Sequence, residues 1–231
     1  EMTSSLVGSE MCIRDRVVFD LDGTLMNSLT DLAISVNYGL KLNGLEEKPV
    51  ENYKTYVGNG REMLIRRAMG DAWTDHELFE KVKADYDRHY AVHCNDHTAA
   101  YDGCAEMLEK LAKKGVKTGV LSNKPDEFVD KMLKKAFPNH RFTQAWGQKP
   151  QYKTKPEPDA LLALLDMSSV TPEECFYVGD SDVDVFTANN AGVKMAGVSW
   201  GFRGKNELMN AGAPFVADTA EELFDYICKF I

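Results

Sequence analysis

The chain has 231 residues, enough for one large domain or for a core that carries one inserted subdomain. Hydrophobic residues make up 44% and charged residues 27%, so a substantial core can form and wholesale disorder is excluded. Asp and Glu number 36 against 27 Lys and Arg, a net charge of −9, which excludes nucleic-acid binding through a broad basic surface and leaves room for a local anion site.

Residues Glu1 to Arg16 show neither strand nor helix periodicity, and SSLVGSEMCIRD resembles translated sequencing adapter, so residues 1–16 are expected to be a non-native or disordered leader. Val17 opens VVFDLDGTL, a β-branched and aromatic run that meets Asp and Gly, which predicts a buried strand ending in a turn. Residues 27–98 then carry helical periodicity without a convincing strand. That length is too great for a crossover loop, so an all-helical cap is expected there, entered near Asn27-Ser28 and left near Tyr101-Asp102-Gly103.

Beyond the cap, strand-type runs at Val116–Leu121, Phe142–Trp146, Cys175–Val178, Val193–Val198 and Pro214–Ala217 alternate with helix-length material. The helices are expected at Cys104–Lys114, Asp126–Ala136, Pro158–Leu165, Asp184–Ala191 and Ala220–Phe230. This alternation predicts an α/β fold, a Rossmann-like doubly wound parallel sheet formed by residues 17–26 and 99–231, with the cap over 27–98.

The five cysteines, Cys12, Cys94, Cys104, Cys175 and Cys228, are odd in number and lack a CxxC pair, so neither a disulfide framework nor a zinc knuckle is indicated. No apolar run is long enough to span a bilayer. A cytoplasmic protein with no membrane or nucleic-acid partner, monomer or homodimer, is the expectation.

The chemistry concentrates at strand ends. Asp20 and Asp22 stand i, i+2 at the carboxyl end of the first strand, where open α/β sheets place their ligands, and Gly23-Thr24 supplies a tight turn. A second acidic cluster, Gly179-Asp180-Ser181-Asp182-Val183-Asp184, follows the Cys175–Val178 strand, and parallel strands bring both clusters to one rim. Hard oxygen ligands without a matching His or Cys set suit Mg²⁺. Ser122-Asn123 and Lys155 offer hydroxyl, amide and ammonium donors to a phosphoryl group.

FDLDGTL, LSN, Lys155 in KPEP, and GDSDVD, in this order and spacing, resemble the four motifs of the haloacid dehalogenase-like phosphatases over Val17–Ile231. YVGNG and GVSWGFRG are similar, more narrowly, to the phosphoglycolate phosphatase branch. The resemblance implies a phosphomonoester hydrolase in which Asp20 is the nucleophile, Asp22 the acid and base, and Asp20, Asp180 and the Asp22 carbonyl the Mg²⁺ ligands. Asp184 would orient waters or Lys155, and Lys155 with Ser122, Asn123 and Thr24 would grip the substrate. Many relatives carry Asp-Ser where this chain has Asn27-Ser28; Asn caps helices about as well, so the first cap helix is still expected to start there.

The expected substrate is a small phosphorylated metabolite such as 2-phosphoglycolate. Alternatives are a phosphosugar mutase of the β-phosphoglucomutase type or a pyrophosphatase of the same superfamily, and, from another class, a non-catalytic phosphate sensor. In the cap, Asn59, Gly60 and Arg61 form a turn with exposed amides and a positive fork, expected to contact substrate. Asp182 reads as a turn or helix start, and Arg203 as structural. His89, His93 and His97 fall on one helix face, where a solvated or packed face accounts for them better than a metal stripe.

Overall fold

The computed structural model describes residues 16–230. Of the expected leader, residues 1–15 lie outside the described residues, whereas Arg16 is buried and belongs to β1 together with Val17.

Strand β1 (Arg16–Phe19) is buried throughout, and its register joins Arg16 to Lys117 on one side and to Cys175 on the other. A two-residue strand, β2 (Met26–Asn27), leads into four helices, α1 (Leu29–Leu42), α2 (Tyr53–Tyr56), α3 (Arg61–Met69) and α4 (His76–His93), and β3 (Ala99–Ala100) returns antiparallel to β2. The chain continues as α5 (Cys104–Lys113), β4 (Lys117–Pro125), α6 (Asp126–Ala136), β5 (Gln144–Gln148), α7 (Asp159–Asp166), β6 (Cys175–Gly179), α8 (Asp182–Ala191), β7 (Lys194–Val198), α9 (Lys205–Asn210), β8 (Val216–Ala217) and α10 (Ala220–Ile227).

The main sheet is parallel in the order β5-β4-β1-β6-β7-β8. The strand order reverses at β1, which places a crevice at the carboxyl ends of β1, β4 and β6. Alternate strand residues feed opposite cores. Val17 and Phe19 join the cluster under α5, α6 and α10, while Val18 joins the one under α7, α8 and α9.

Several boundaries differ from the sequence expectation. β4 runs past Leu121 to Pro125, because Pro125 still pairs with Gln148 of β5. α8 starts at Asp182 rather than Asp184, since Ser181 is the N-cap and closes a capping box with Asp184. Asn27 belongs to β2 rather than starting a helix; α1 has Ser28 at its N-cap position, and Asn27 Oδ1 accepts from the Leu29 amide at 3.4 Å. The β2–β3 ribbon and α9 were not expected.

Within the helical stretch, α1 buries Leu29, Leu32, Ala33, Val36 and Leu40 along one face, and α4 answers with Phe79, Val82, Tyr86 and Tyr90. The two helices meet closely at Gly39, where a Cβ would fall 2.8 Å from the Val82 carbonyl oxygen. Asp31, 2% exposed, ties the start of this stretch to its end. It accepts from the Thr98 amide (2.8 Å) and hydroxyl (2.6 Å) and from the His97 amide (3.0 Å), with His97 Nδ1 at 2.8 Å.

Burial alone would raise the Asp31 carboxyl, yet the hydrogen bonds from Thr98 and His97 outweigh it and hold the group below its ordinary value. Its stabilising contribution is therefore present above the ordinary carboxylate range and lost as pH falls through the lowered value. Asp31→Asn would turn one acceptor into a donor facing buried donors, which predicts a loss of about 2–3 kcal/mol in urea unfolding at neutral pH. That deficit should shrink on acidification below about pH 4 as the wild type also protonates.

Candidate active site

The rim of the crevice is built by main chain turning sharply after each strand. The Asp20 amide donates to the Val178 carbonyl at 2.8 Å, extending the ladder by one residue before the chain leaves the sheet. Gly23 follows with φ +88, and a Cβ there would fall 2.3 Å from Asp180 Oδ2. At Gly179, a Cβ would overlap the Asp184 side chain at 2.2 Å. Glycine at both places is what admits the second acidic cluster to the rim.

Asp20, Asp180 and Asp184 present oxygens that all lie within 4.8 Å of one another, and all three are buried. Lys155 Nζ stands 2.9 Å from Asp20 Oδ1, 2.7 Å from Asp184 Oδ1 and 3.0 Å from the Tyr177 hydroxyl. Asp184 Oδ2 accepts from the Ser181 amide (3.1 Å) and hydroxyl (2.7 Å), and Asp180 Oδ2 accepts from the Phe202 amide (2.8 Å). Burial, with Asp184 and Asp22 nearby, pushes the Asp20 carboxyl up to about 7 against the pull of Lys155. Burial and the charges of Asp184 and Asp20 hold Asp180 well above its ordinary value. Burial opposes the Lys155 charge, but Asp184 and Asp20 overcome it and hold the ammonium well above its usual range.

Three buried carboxylates share this one ammonium. The donor set is all oxygen and under-neutralised, which fits a hard divalent cation.

Asp20, Asp22, Ser122, Asn123, Gly60 and Arg61 line one pocket together with Asp180. Lys155 reaches Asp20 without joining that lining. Thr24 and Asn59, expected as substrate contacts, also stand outside it: the Thr24 hydroxyl donates to Asp180 Oδ1 at 3.3 Å, and the Asn59 amide oxygen accepts from Arg67 at 2.8 Å. Asn123 spends its amide on main chain, donating to the carbonyls of Gly58 (2.9 Å) and Lys155 (3.0 Å) and accepting from the Lys155 amide (2.8 Å). Arg61 Nη1 lies 2.9 Å from both Asp87 oxygens, so its fork already holds a carboxylate.

Sequence reasoning missed Lys124. It is buried, lines the pocket, and sets Nζ 3.0 Å from both oxygens of Asp22, whose Oδ1 also accepts from the Ser28 hydroxyl. The signal was present: Lys124 directly follows Ser122-Asn123, but the expected strand stopped at Leu121. Arg203, read as structural, lines the pocket and donates from Nη2 to the carbonyls of Thr55 (3.2 Å) and Val57 (3.1 Å) across the crevice. Of the three histidines, His89 and His93 stack with ring centres 4.3 Å apart, while His97 lies beyond the end of α4, and no two share a polar partner. His89 meets the Ser35 hydroxyl (2.9 Å), His93 meets Asp96 (2.7 Å) and His97 meets Asp31. No helix among the described residues is long and apolar enough to cross a membrane.

Residues 17–198 match the family model of haloacid dehalogenase-like hydrolases, and the chain belongs to that family. A phosphoglycolate phosphatase of Pseudomonas fluorescens is 33% identical over 93% of this chain and 78% of its own length. One from Vibrio parahaemolyticus is 32% identical over 91% of this chain and 95% of its own. The crystal structure of a predicted phosphoglycolate phosphatase from Haemophilus somnus superposes with a TM-score of 0.87 at 28% identity, covering 94% of this chain and 99% of that one.

The raised carboxyls give the metal-free protein a definite pH response. Folded Asp20 keeps its proton up to about 7, whereas the unfolded chain releases it near 3.8, so stability falls as pH rises through that window. In EDTA, the melting temperature should drop between about pH 5 and pH 7, and magnesium should flatten the slope by supplying the missing positive charge. Scanning fluorimetry of wild type and Asp20→Asn checks this: the variant should lose the share of the slope that belongs to Asp20 while Asp180 keeps its own, and an equal slope in both would count against the assignment.

Proposed function

We propose that this hydrolase cleaves phosphomonoesters of small metabolites, 2-phosphoglycolate first among them, through a phosphorylated Asp20. The observation that carries the reading is Asp20 itself, a carboxylate at the switch point of the sheet, paired with a buried ammonium and sharing its pocket with a second carboxylate two residues on. The names borne by the relatives support the choice of substrate.

In this reading Asp20 attacks phosphorus, the P–O ester bond breaks, and Asp22 donates a proton to the departing alcohol. Asp22 then takes a proton from water as that water attacks the phosphorus of the acyl phosphate; the P–O bond to Asp20 breaks and inorganic phosphate leaves. Lys155 draws Asp20 toward its ionised form and aims it while offsetting charge on the transferring oxygens, and Ser122 offers a hydroxyl beside them. Asp20, Asp180 and the main-chain carbonyl of Asp22 would hold the divalent cation, Mg²⁺ in this reading, which supplies positive charge to the phosphoryl oxygens. Asp184 serves by fixing Lys155 from below.

The helical stretch acts here as a cap over the pocket. Gly60 and Arg61 enter the lining from its side, and Asn123 and Arg203 bridge to it from the core. Such a cover excludes bulk water while the acyl phosphate exists.

A panel of phosphate esters ranked by kcat/KM tests the substrate, with 2-phosphoglycolate expected at the head; hexose phosphates or pyrophosphate ahead of it would overturn that assignment. Asp20→Asn should remain folded and show no turnover. Asp22→Asn should still accept phosphate from p-nitrophenyl phosphate but release it about 10²–10⁴-fold more slowly, because the attacking water has lost its base. Rapid-quench trapping of phosphoprotein reads this directly, and equal loss of both half-reactions would contradict the division of labour.

A further inference from the structure

The cations around the pocket differ in what neutralises them. Arg61 is matched by Asp87, a partner that no step of the proposed reaction disturbs. Arg203 is spent on main-chain carbonyls and on Glu207 at 3.7 Å. Lys155 stays with Asp20 and Asp184 throughout. Lys124 is the exception, because its counterion is Asp22, the residue that has to turn toward the substrate.

The Lys124 side chain is 2% exposed and holds both Asp22 oxygens at 3.0 Å. Its other neighbour is the face of Tyr90 in α4, with Nζ 4.9 Å from the ring centre. Asp22 cannot address an ester oxygen and keep both oxygens on Lys124. Once it turns, the ammonium retains an aromatic face and part of one carboxylate, a poor substitute for a full counter-charge at such burial.

We propose that Lys124 is the specificity-determining residue of the pocket and exchanges Asp22 for a second anionic group on the substrate. The inference rests on the phosphomonoesterase reading and deepens it. In a phosphate ester of a 2-hydroxy acid, the carboxylate carbon is two bonds from the ester oxygen. Asp22 addresses that oxygen, so the cation touching Asp22 is the one within reach of the carboxylate. A substrate carrying such a carboxylate releases Asp22 and re-pairs Lys124 in one event; an ester of a neutral alcohol releases Asp22 and leaves the ammonium under-neutralised. Selection thus occurs where the acid is freed.

Two non-hydrolysable ligands isolate this effect. Phosphonoacetate carries phosphonate and carboxylate, and methylphosphonate carries phosphonate alone. As competitors of p-nitrophenyl phosphate turnover by the wild type with magnesium present, phosphonoacetate should bind at least about tenfold more tightly. In Lys124→Gln that ratio should fall to within about twofold, through loss of phosphonoacetate affinity. Equal weakening of both ligands, or an unchanged ratio, would overturn the proposal.

Because Lys124→Gln leaves Asp22 without its cation, calorimetric titration of a second pair of variants guards against a folding effect. Asp22→Asn frees Lys124 from its competitor, so it should bind phosphonoacetate more tightly than wild type relative to methylphosphonate, whereas Asp22→Asn/Lys124→Met should lose the preference. A weaker relative affinity in Asp22→Asn would refute the exchange. The two readings fail separately: absence of phosphate-ester hydrolysis removes the esterase assignment, while hydrolysis without a carboxylate preference removes the role of Lys124 alone.

Discussion

Lys155 Nζ, 2.7 Å from Asp184 and 2.9 Å from Asp20, sets one ammonium against three buried carboxylates, and the architecture of the rim follows from keeping that group in place. Burial of unbalanced charge is costly unless nearly every oxygen finds a donor. Here the donors come from the Ser181 amide and hydroxyl, the Phe202 amide, the Thr24 hydroxyl and Tyr177, and the room comes from Gly23 and Gly179. What remains is a deficit of positive charge at the one edge of the sheet where the topology leaves a crevice. A hard cation is the kind of ligand that such a deficit selects.

The same economy explains how the helical stretch is attached. Its two ends leave through a ribbon of two residues on each side, too little to fix an orientation by itself. Asp31 clamps the start of α1 to residues 97 and 98, Asn123 ties the end of β4 to the Gly58 carbonyl, and Arg203 crosses to Thr55 and Val57. Most of these bonds join a charged or amide side chain to main chain, the Thr98 hydroxyl and His97 ring on Asp31 being the exceptions. Such contacts can open without leaving a large apolar face exposed, which suits the covering role proposed for this stretch.

The sheet was legible because strands buried on both faces read as continuous β-branched and aromatic runs; RVVF and CFYVG are buried at every position. The acidic and lysine motifs were legible because parallel strands bring their carboxyl ends together whatever lies between. Misreadings arose where tertiary context overrode a local signal. Ser122-Asn123-Lys124 continues β4 although it is polar, since β5 and the helical stretch bury it, and ending the strand at the last apolar residue hid Lys124. The charge of Arg61 was visible, but its partner Asp87, 26 positions later in α4, was not. The start of α8 was legible in principle, because Ser181 and Asp184 hold the spacing of a capping box.

For an acidic chain, the anionic substrate proposed above poses a problem of long-range electrostatics. With a net charge of −9, the overall field repels a phosphorylated carboxylate, so capture cannot depend on steering by the whole surface. It has to depend on charges close to the ligand and shielded from water, where an interaction over a few ångströms outweighs a distant, salt-screened field. Lys124 and Lys155 meet that condition, with side chains 2% and 3% exposed. Arg61, at 31% exposed and already paired, meets it less well. In the free protein Lys124 is paired with Asp22 and Lys155 with Asp20 and Asp184, and the proposed selectivity then reduces to which of those aspartates a substrate can replace. Asp20 is held by Lys155, and Asp184 by Lys155 and the capping box, whereas Asp22 has only Lys124 and the Ser28 hydroxyl to leave.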